Sequence, residues 1–132
     1  MDGIRVLIVD DIAQVRQDLR TALPLCGDIE IVGEAADGRE GVAQALALQP
    51  DVVLMDLVMP VMDGCESARR IKALCPGSRV IALTLYGDAA ARERARHSGL
   101  DDFVVKGAPL AELVQSIRRG TPSRSTPTGD QS

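Results

Sequence analysis

Ile4-Arg5-Val6-Leu7-Ile8-Val9 is a short, β-branched, almost unbroken apolar run that stops at two aspartates. Such a run reads as a strand buried on both faces. Ile12, Val15, Leu19 and Leu23 then recur at three- and four-residue spacing, one stripe of a helix that Pro24 is expected to end. The alternation repeats. Ile29 to Glu34 reads as strand, and Val42, Ala45 and Leu46 return to helix spacing between Asp37-Gly38 and Gln49-Pro50. Val52-Val53-Leu54-Met55 is a buried-strand run ending in Asp56, and Ala68, Ile71 and Leu74 give a helix stripe that stops before Pro76-Gly77. Val80-Ile81-Ala82-Leu83 ends at Thr84, and the alanine-rich stretch from Asp88 to Ser98 predicts a helix with a weak apolar stripe, stopped by Gly99. Phe103-Val104-Val105 ends at Lys106, and Leu110, Leu113, Val114 and Ile117 mark a strongly amphipathic last helix.

Five strand-then-helix units predict one α/β domain over residues 1–119 with a parallel sheet and helices on both faces, because parallel strands need right-handed helical crossovers. The expected architecture is a flavodoxin-like, doubly wound (βα)5 fold with strand order 2-1-3-4-5. In such sheets ligands sit beyond the carboxyl ends of the strands, where the strand order reverses. Residues 120–132 are Gly, Thr, Pro, Ser and other polar residues with nothing to bury, and are expected to form a flexible tail or truncated linker without an output domain.

Composition narrows the function classes. The 132 residues carry a net charge of −4, against the basic excess of a domain that coats nucleic acid. One Phe, one Tyr and no Trp leave no platform for stacking on bases. No apolar run approaches the roughly 20 residues that span a bilayer, and no secretory leader opens the chain, so a cytoplasmic protein without membrane contact is expected. Cys26, Cys65 and Cys75 are odd in number and lack CxxC spacing, which argues against a disulfide framework or zinc site. A single histidine, His97, rules out a multi-His metal site and reads as a helix-end residue.

What remains is a set of polar residues at strand ends. Asp10 and Asp11 close the first strand, Asp56 the third, Thr84 the fourth and Lys106 the fifth, so all five should converge on one rim. A lone aspartate after a strand is more often a turn or cap residue. The joint pattern is harder to produce by chance. Three crowded carboxylates repel by about 4 kcal/mol per pair at about 4 Å and an effective dielectric of about 20, unless a cation intervenes. Mg²⁺ suits them: it is small, seeks oxygen and bridges one or two carboxylates to a phosphoryl group. Asp56 is then placed as a nucleophile toward phosphorus, with Lys106 and Thr84 as donors to the phosphoryl oxygens.

Val6-Leu7-Ile8-Val9-Asp10-Asp11, Val53-Leu54-Met55-Asp56-Leu57-Val58-Met59-Pro60-Val61-Met62-Asp63-Gly64, Leu83-Thr84 and Phe103-Val104-Val105-Lys106 resemble the motifs of response-regulator receiver domains, over residues 4 to about 119. The resemblance implies a two-component phosphorelay switch rather than an enzyme, phosphorylated on Asp56 by a sensor histidine kinase or a small phosphodonor with Mg²⁺. It implies Asp11 as a direct Mg²⁺ ligand, Asp10 as one mainly through water, the Val58 backbone carbonyl as a further ligand, and Thr84 and Phe103 as the switch pair. The output surface would be helix 4, strand 5 and helix 5, open to homodimerisation. Two positions depart from the common pattern: Gly107 where many receivers have proline after the lysine, and Leu85 where many have a smaller residue. The first is similar to regulators of the nitrate-response type, which usually continue into a helix-turn-helix. Transcription control, with DNA contacted only through such an output domain, is therefore the expected role.

Three other functions fit less well. A haloacid-dehalogenase-like phosphatase needs a second aspartate two residues after its nucleophile, and Ile12 and Val58 stand there instead. A flavin module needs a Gly/Ser/Thr-rich phosphate cradle, which Asp10-Asp11-Ile12-Ala13 does not offer. A pseudo-receiver that works by protein contact alone would not need every acidic and donor position filled, and a stand-alone, phospho-dependent protein-interaction module stays open as the alternative output.

Overall fold

A computed structural model describes residues 3–59, 62–85 and 87–119. Strands β1 (Ile4–Val9), β2 (Ile29–Ala35), β3 (Val52–Met55), β4 (Arg79–Thr84) and β5 (Asp102–Val105) alternate with helices α1 (Ala13–Ala22), α2 (Gly38–Leu48), α3 (Gly64–Leu74), α4 (Ala89–His97) and α5 (Leu110–Arg119). All pairings are parallel and the order is β2-β1-β3-β4-β5, as the alternation required. The expected tail over 120–132 lies outside the described residues.

The central strands send alternate side chains to opposite faces, which divides the core in two. Val6, Ile8, Leu54 and Ile81 pack with Leu113, Val114 and Ile117 of α5 and with Leu19 and Leu23. Leu7, Val9, Val53 and Met55 pack with Ala45 of α2 and with Ala68 and Ile71 of α3. Each fully buried aliphatic side chain contributes about 1.5–3 kcal/mol. A smaller cluster of Leu57, Cys65, Ala82 and Ala95 holds α4, whose buried residues are only Ala91 and Ala95. The weak stripe of that segment has become a lightly anchored helix.

Three helices start on an aspartate that caps them. Asp37, Asp63 and Asp88 accept hydrogen bonds from the amides of Glu40, Glu66 and Ala91, filling the orphan donors of the first turn. The helix stripes differ from expectation in detail. Pro24 does not simply end α1, because Leu23–Cys26 continues as a 3₁₀ turn that accepts proline near its start. Leu46 and Leu74 are exposed. Leu74 is the last residue of α3, and the non-helical turn at Cys75 carries that thiol into the core instead. Cys65 is also buried, Cys26 is half-buried, and none of the three is in a disulfide. Among the described residues no helix is long and apolar enough to cross a membrane.

Candidate functional site

The sheet delivers the strand-end residues by one repeated hydrogen bond. Asp10, Asp56 and Lys106 each lie one residue beyond a strand, and their amides donate to the last carbonyl of a neighbouring strand: Asp10 to Ala35 at 3.0 Å, Asp56 to Val9 at 2.9 Å, Lys106 to Thr84 at 2.7 Å. The order β2-β1-β3-β4-β5 therefore sets Asp10, Asp56, Thr84 and Lys106 along one edge.

The two buried aspartates divide their oxygens between a local turn and the cleft. Asp10 Oδ1 accepts from the Ile12 amide at 2.9 Å and Asp56 Oδ1 from the Val58 amide at 3.1 Å, each closing a local turn two residues on. The Oδ2 atoms face Lys106, whose Nζ lies 2.7 Å from Asp10 and 3.3 Å from Asp56. The approach to Asp10 misses the angles of a hydrogen bond, so it acts chiefly as a charge pair. Asp10, Asp56 and Thr84 are 1%, 5% and 2% exposed, whereas Asp11 is open to solvent.

Asp11, Ile12, Asp56, Val58, Thr84, Leu85 and Lys106 line a cleft of about 180 Å³. A larger apolar groove beside it, between Leu19 of α1 and Leu113 of α5, also includes Lys106 but not Asp10, Asp11 or Asp56. Burial, reinforced by the Asp10 charge, pushes the Asp56 carboxyl above the ordinary carboxylate range, against the Val58 amide and Lys106, which pull it down. Burial alone would lower the Lys106 ammonium; pairing with Asp10, then Asp56, outweighs it and raises it.

Oxygens of Asp10, Asp11 and Asp56 lie within 4.8 Å of one another. Three carboxylates cluster where one ammonium pairs with two of them, so the cleft carries surplus negative charge. Hard oxygen donors with surplus negative charge, and no histidine or thiol among them, fit Mg²⁺.

Phe103 stands apart from the cleft. It is half-buried against the Leu57, Cys65, Ala82 and Ala95 cluster, and the Arg92 guanidinium carbon lies 4.7 Å from its ring centroid. Gly107 adopts φ +92°, a conformation that favours glycine and accounts for its place after Lys106. His97 ends α4, and its ring nitrogen lies 3.0 Å from the Glu93 carbonyl and 3.4 Å from the Glu93 carboxylate, as a helix-end residue would.

Two participants escaped the sequence reading. Arg92 carries no motif. Arg16 donates from Nη1 to the Asp10 carbonyl at 2.7 Å. An arginine on the second turn of a helix gives no sign, in one sequence, of reaching back to the strand before it.

The chain matches the family model described as "Response regulator receiver domain" over residues 6–118. It is 38% identical over 116 residues to the response regulator protein VraR of Staphylococcus aureus, covering 88% of this chain and 56% of that protein. The chain thus spans about half the length of the curated relatives it matches. Among solved structures, the signal receiver domain of the putative response regulator NarL from Mycobacterium tuberculosis superposes with a TM-score of 0.84 at 31% identity, covering 89% of this chain and 94% of that one. The CheX-CheY-BeF3-Mg²⁺ complex from Borrelia burgdorferi matches with a TM-score of 0.80 at 29% identity, covering 88% of this chain and 87% of that one.

Proposed function

Because this chain belongs to the response regulator receiver domain family, we propose that it is a phosphorylation switch whose acceptor is Asp56. The observation that carries this reading is the convergence of three carboxylates within 4.8 Å, with Lys106 paired to Asp10 and Asp56 and Thr84 on the same cleft. The Asp56 carboxylate attacks phosphorus, an acyl-phosphate P–O bond forms, and the bond to the donor breaks with its electron pair leaving on the donor, which takes up a proton. Lys106, released from Asp10, and the Thr84 hydroxyl donate to phosphoryl oxygens. Asp10, Asp11, Asp56 and the Val58 carbonyl would hold Mg²⁺, which when bound would supply positive charge against the incoming dianion. A neighbour on the same fold whose name includes BeF3 and Mg²⁺ supports the choice of Mg²⁺ as the ion.

The donor is a sensor histidine kinase or a small phosphodonor, and the readout is the surface of α4, β5 and α5, where the chain can pair with a second copy or restrain an output domain that binds DNA. The likeness to a solved structure named as a DNA-binding response regulator of the LuxR family from Staphylococcus aureus, 28% identical with a TM-score of 0.82, favours transcription control. Turnover of unrelated phosphate esters is not part of this reading.

Incubation with phosphoramidate and Mg²⁺, followed by intact mass, is expected to add one acid-labile phosphoryl group. Asp56→Asn and chelation are each expected to abolish it. An equal mass gain at an equal rate in Asp56→Asn would overturn the assignment.

A further inference from the structure

We propose that Arg16 is a positioning residue for the cation site, fixing the Asp10–Asp11 peptide from which two of the three carboxylates project. The inference rests on the function proposed above. It begins with a shortfall in the sheet. The Asp10 amide donates to Ala35, the last residue of β2, after which the chain turns away to the α2 cap at Asp37. No strand amide follows to meet the Asp10 carbonyl. Arg16 Nη1 meets it instead at 2.7 Å, at a residue 1% exposed where an unpartnered carbonyl would be costly.

The guanidinium is itself held. Its Nε donates to Glu34 Oε1 at 3.2 Å, and the other oxygen of Glu34 pairs with Arg20. Arg16 and Glu34 are mostly shielded, with side chains 19% and 23% exposed, while Arg20 is 53% exposed. One rigid planar fork thus ties α1, β2 and the end of β1 together, which a single ammonium point charge does less well. With its amide bonded to Ala35, its carbonyl to Arg16, its Oδ1 to Ile12 and its Oδ2 against Lys106, Asp10 has no freedom to turn. The exposed Asp11 inherits its direction from that peptide.

Charge and positioning make opposite forecasts, and this separates them. Arg16 is a cation near a cation site, so if only its charge mattered, removing it would tighten Mg²⁺ binding. Positioning requires the reverse, since partners behind a metal's ligands typically contribute about 10–100-fold in affinity.

The test is a Mg²⁺ titration of the metal-free full chain, read by ¹⁵N amide shifts. Arg16→Ala is expected to weaken Mg²⁺ binding about tenfold. Arg20→Ala, which strips the same charge type from Glu34 without touching Asp10, is expected to bind as the native protein does or slightly tighter. If Arg16→Ala fails to fold, Arg16→Met keeps the aliphatic stem and loses only the donors, with the same expectation. Binding by the Arg16 variant as tight as native, or an equal loss in Arg20→Ala, overturns the inference while the proposed function stands. Absence of Mg²⁺-dependent shifts around residues 10, 11 and 56 in the native protein overturns that function and the inference with it.

Discussion

Lys106 approaches Asp10 more closely than the proposed acceptor, at 2.7 Å from Asp10 Oδ2 against 3.3 Å from Asp56 Oδ2. Without a divalent ion this ammonium is the cation facing a buried carboxylate pair, and removing it leaves that charge uncompensated. Lys106→Met is expected to cost about 3 kcal/mol in chelator, the scale for breaking a buried ion pair from one side. Mg²⁺ should restore more stability to the variant than to the native protein. Denaturant unfolding with and without Mg²⁺ measures both; identical midpoints in chelator would contradict the pairing.

Asp56 gives a pH dependence of definite sign. Its carboxyl is raised in the folded protein, chiefly by burial, so the native state holds this proton more tightly than the unfolded chain does. Stability from the protonated form is present at low pH and is lost as pH rises from the unfolded value, about 3.9, through the raised folded value. In chelator, Asp56→Asn should therefore be more stable than the native protein at pH 7, and the gap should close toward pH 4. A gap that widens on acidification would show the opposite shift.

The contact of Arg92 with Phe103 bears on the switch. If Thr84 is drawn to the phosphoryl group and Phe103 follows into the vacated space, the ring must leave Arg92. A cation–π contact of about 0.5–1 kcal/mol corresponds to about a two- to fivefold population ratio. Arg92→Ala should move Phe103 amide and ring resonances of the unphosphorylated protein partway toward their phosphorylated positions. Thr84→Ala should accept phosphate yet show smaller shifts over residues 88–106. Phe103 signals that ignore phosphorylation of the native protein would rule the coupling out.

The phosphorylated form should be long-lived. Val58 and Leu85 line the cleft and are 55% and 61% exposed, so the mouth above Asp56 is flanked by aliphatic groups that cannot orient a water. Tyr86, two residues after Thr84 in the sequence, lies outside the described residues. Val58→Asn, alone or with a smaller polar residue at 86, should speed phosphate loss without preventing phosphorylation. Equal decay by intact mass under the same Mg²⁺ and pH would count against the water argument.

Gly64 couples the α3 start to the acceptor loop. A Cβ there would stand 2.1 Å from the Asp56 carbonyl oxygen and 2.7 Å from Leu57 Cα, both backbone atoms that yield only if the loop moves. Gly64→Ala should cost about 1–3 kcal/mol, as overpacking does, and slow phosphorylation. Native rates together with native stability would mean the loop relaxes freely.

The five strands, the helices between them and the strand-end aspartates, threonine and lysine were legible along the chain, because buried parallel strands are apolar throughout and stop abruptly where the chain turns polar. The convergence of Asp10, Asp56, Thr84 and Lys106 also followed, since the strand order leaves their positions no other edge. Local pattern failed where burial depends on what lies opposite. Leu46 and Leu74 fit their stripes but face solvent, while Cys75 lies buried because the chain turns in at the end of α3. It failed also for Arg16 and Arg92, whose partners Glu34 and Phe103 come from other strands. Helical spacing records which face a side chain occupies, but which backbone carbonyl or ring it meets there is set by how the helix packs on the strands beside it, which spacing along the chain does not encode.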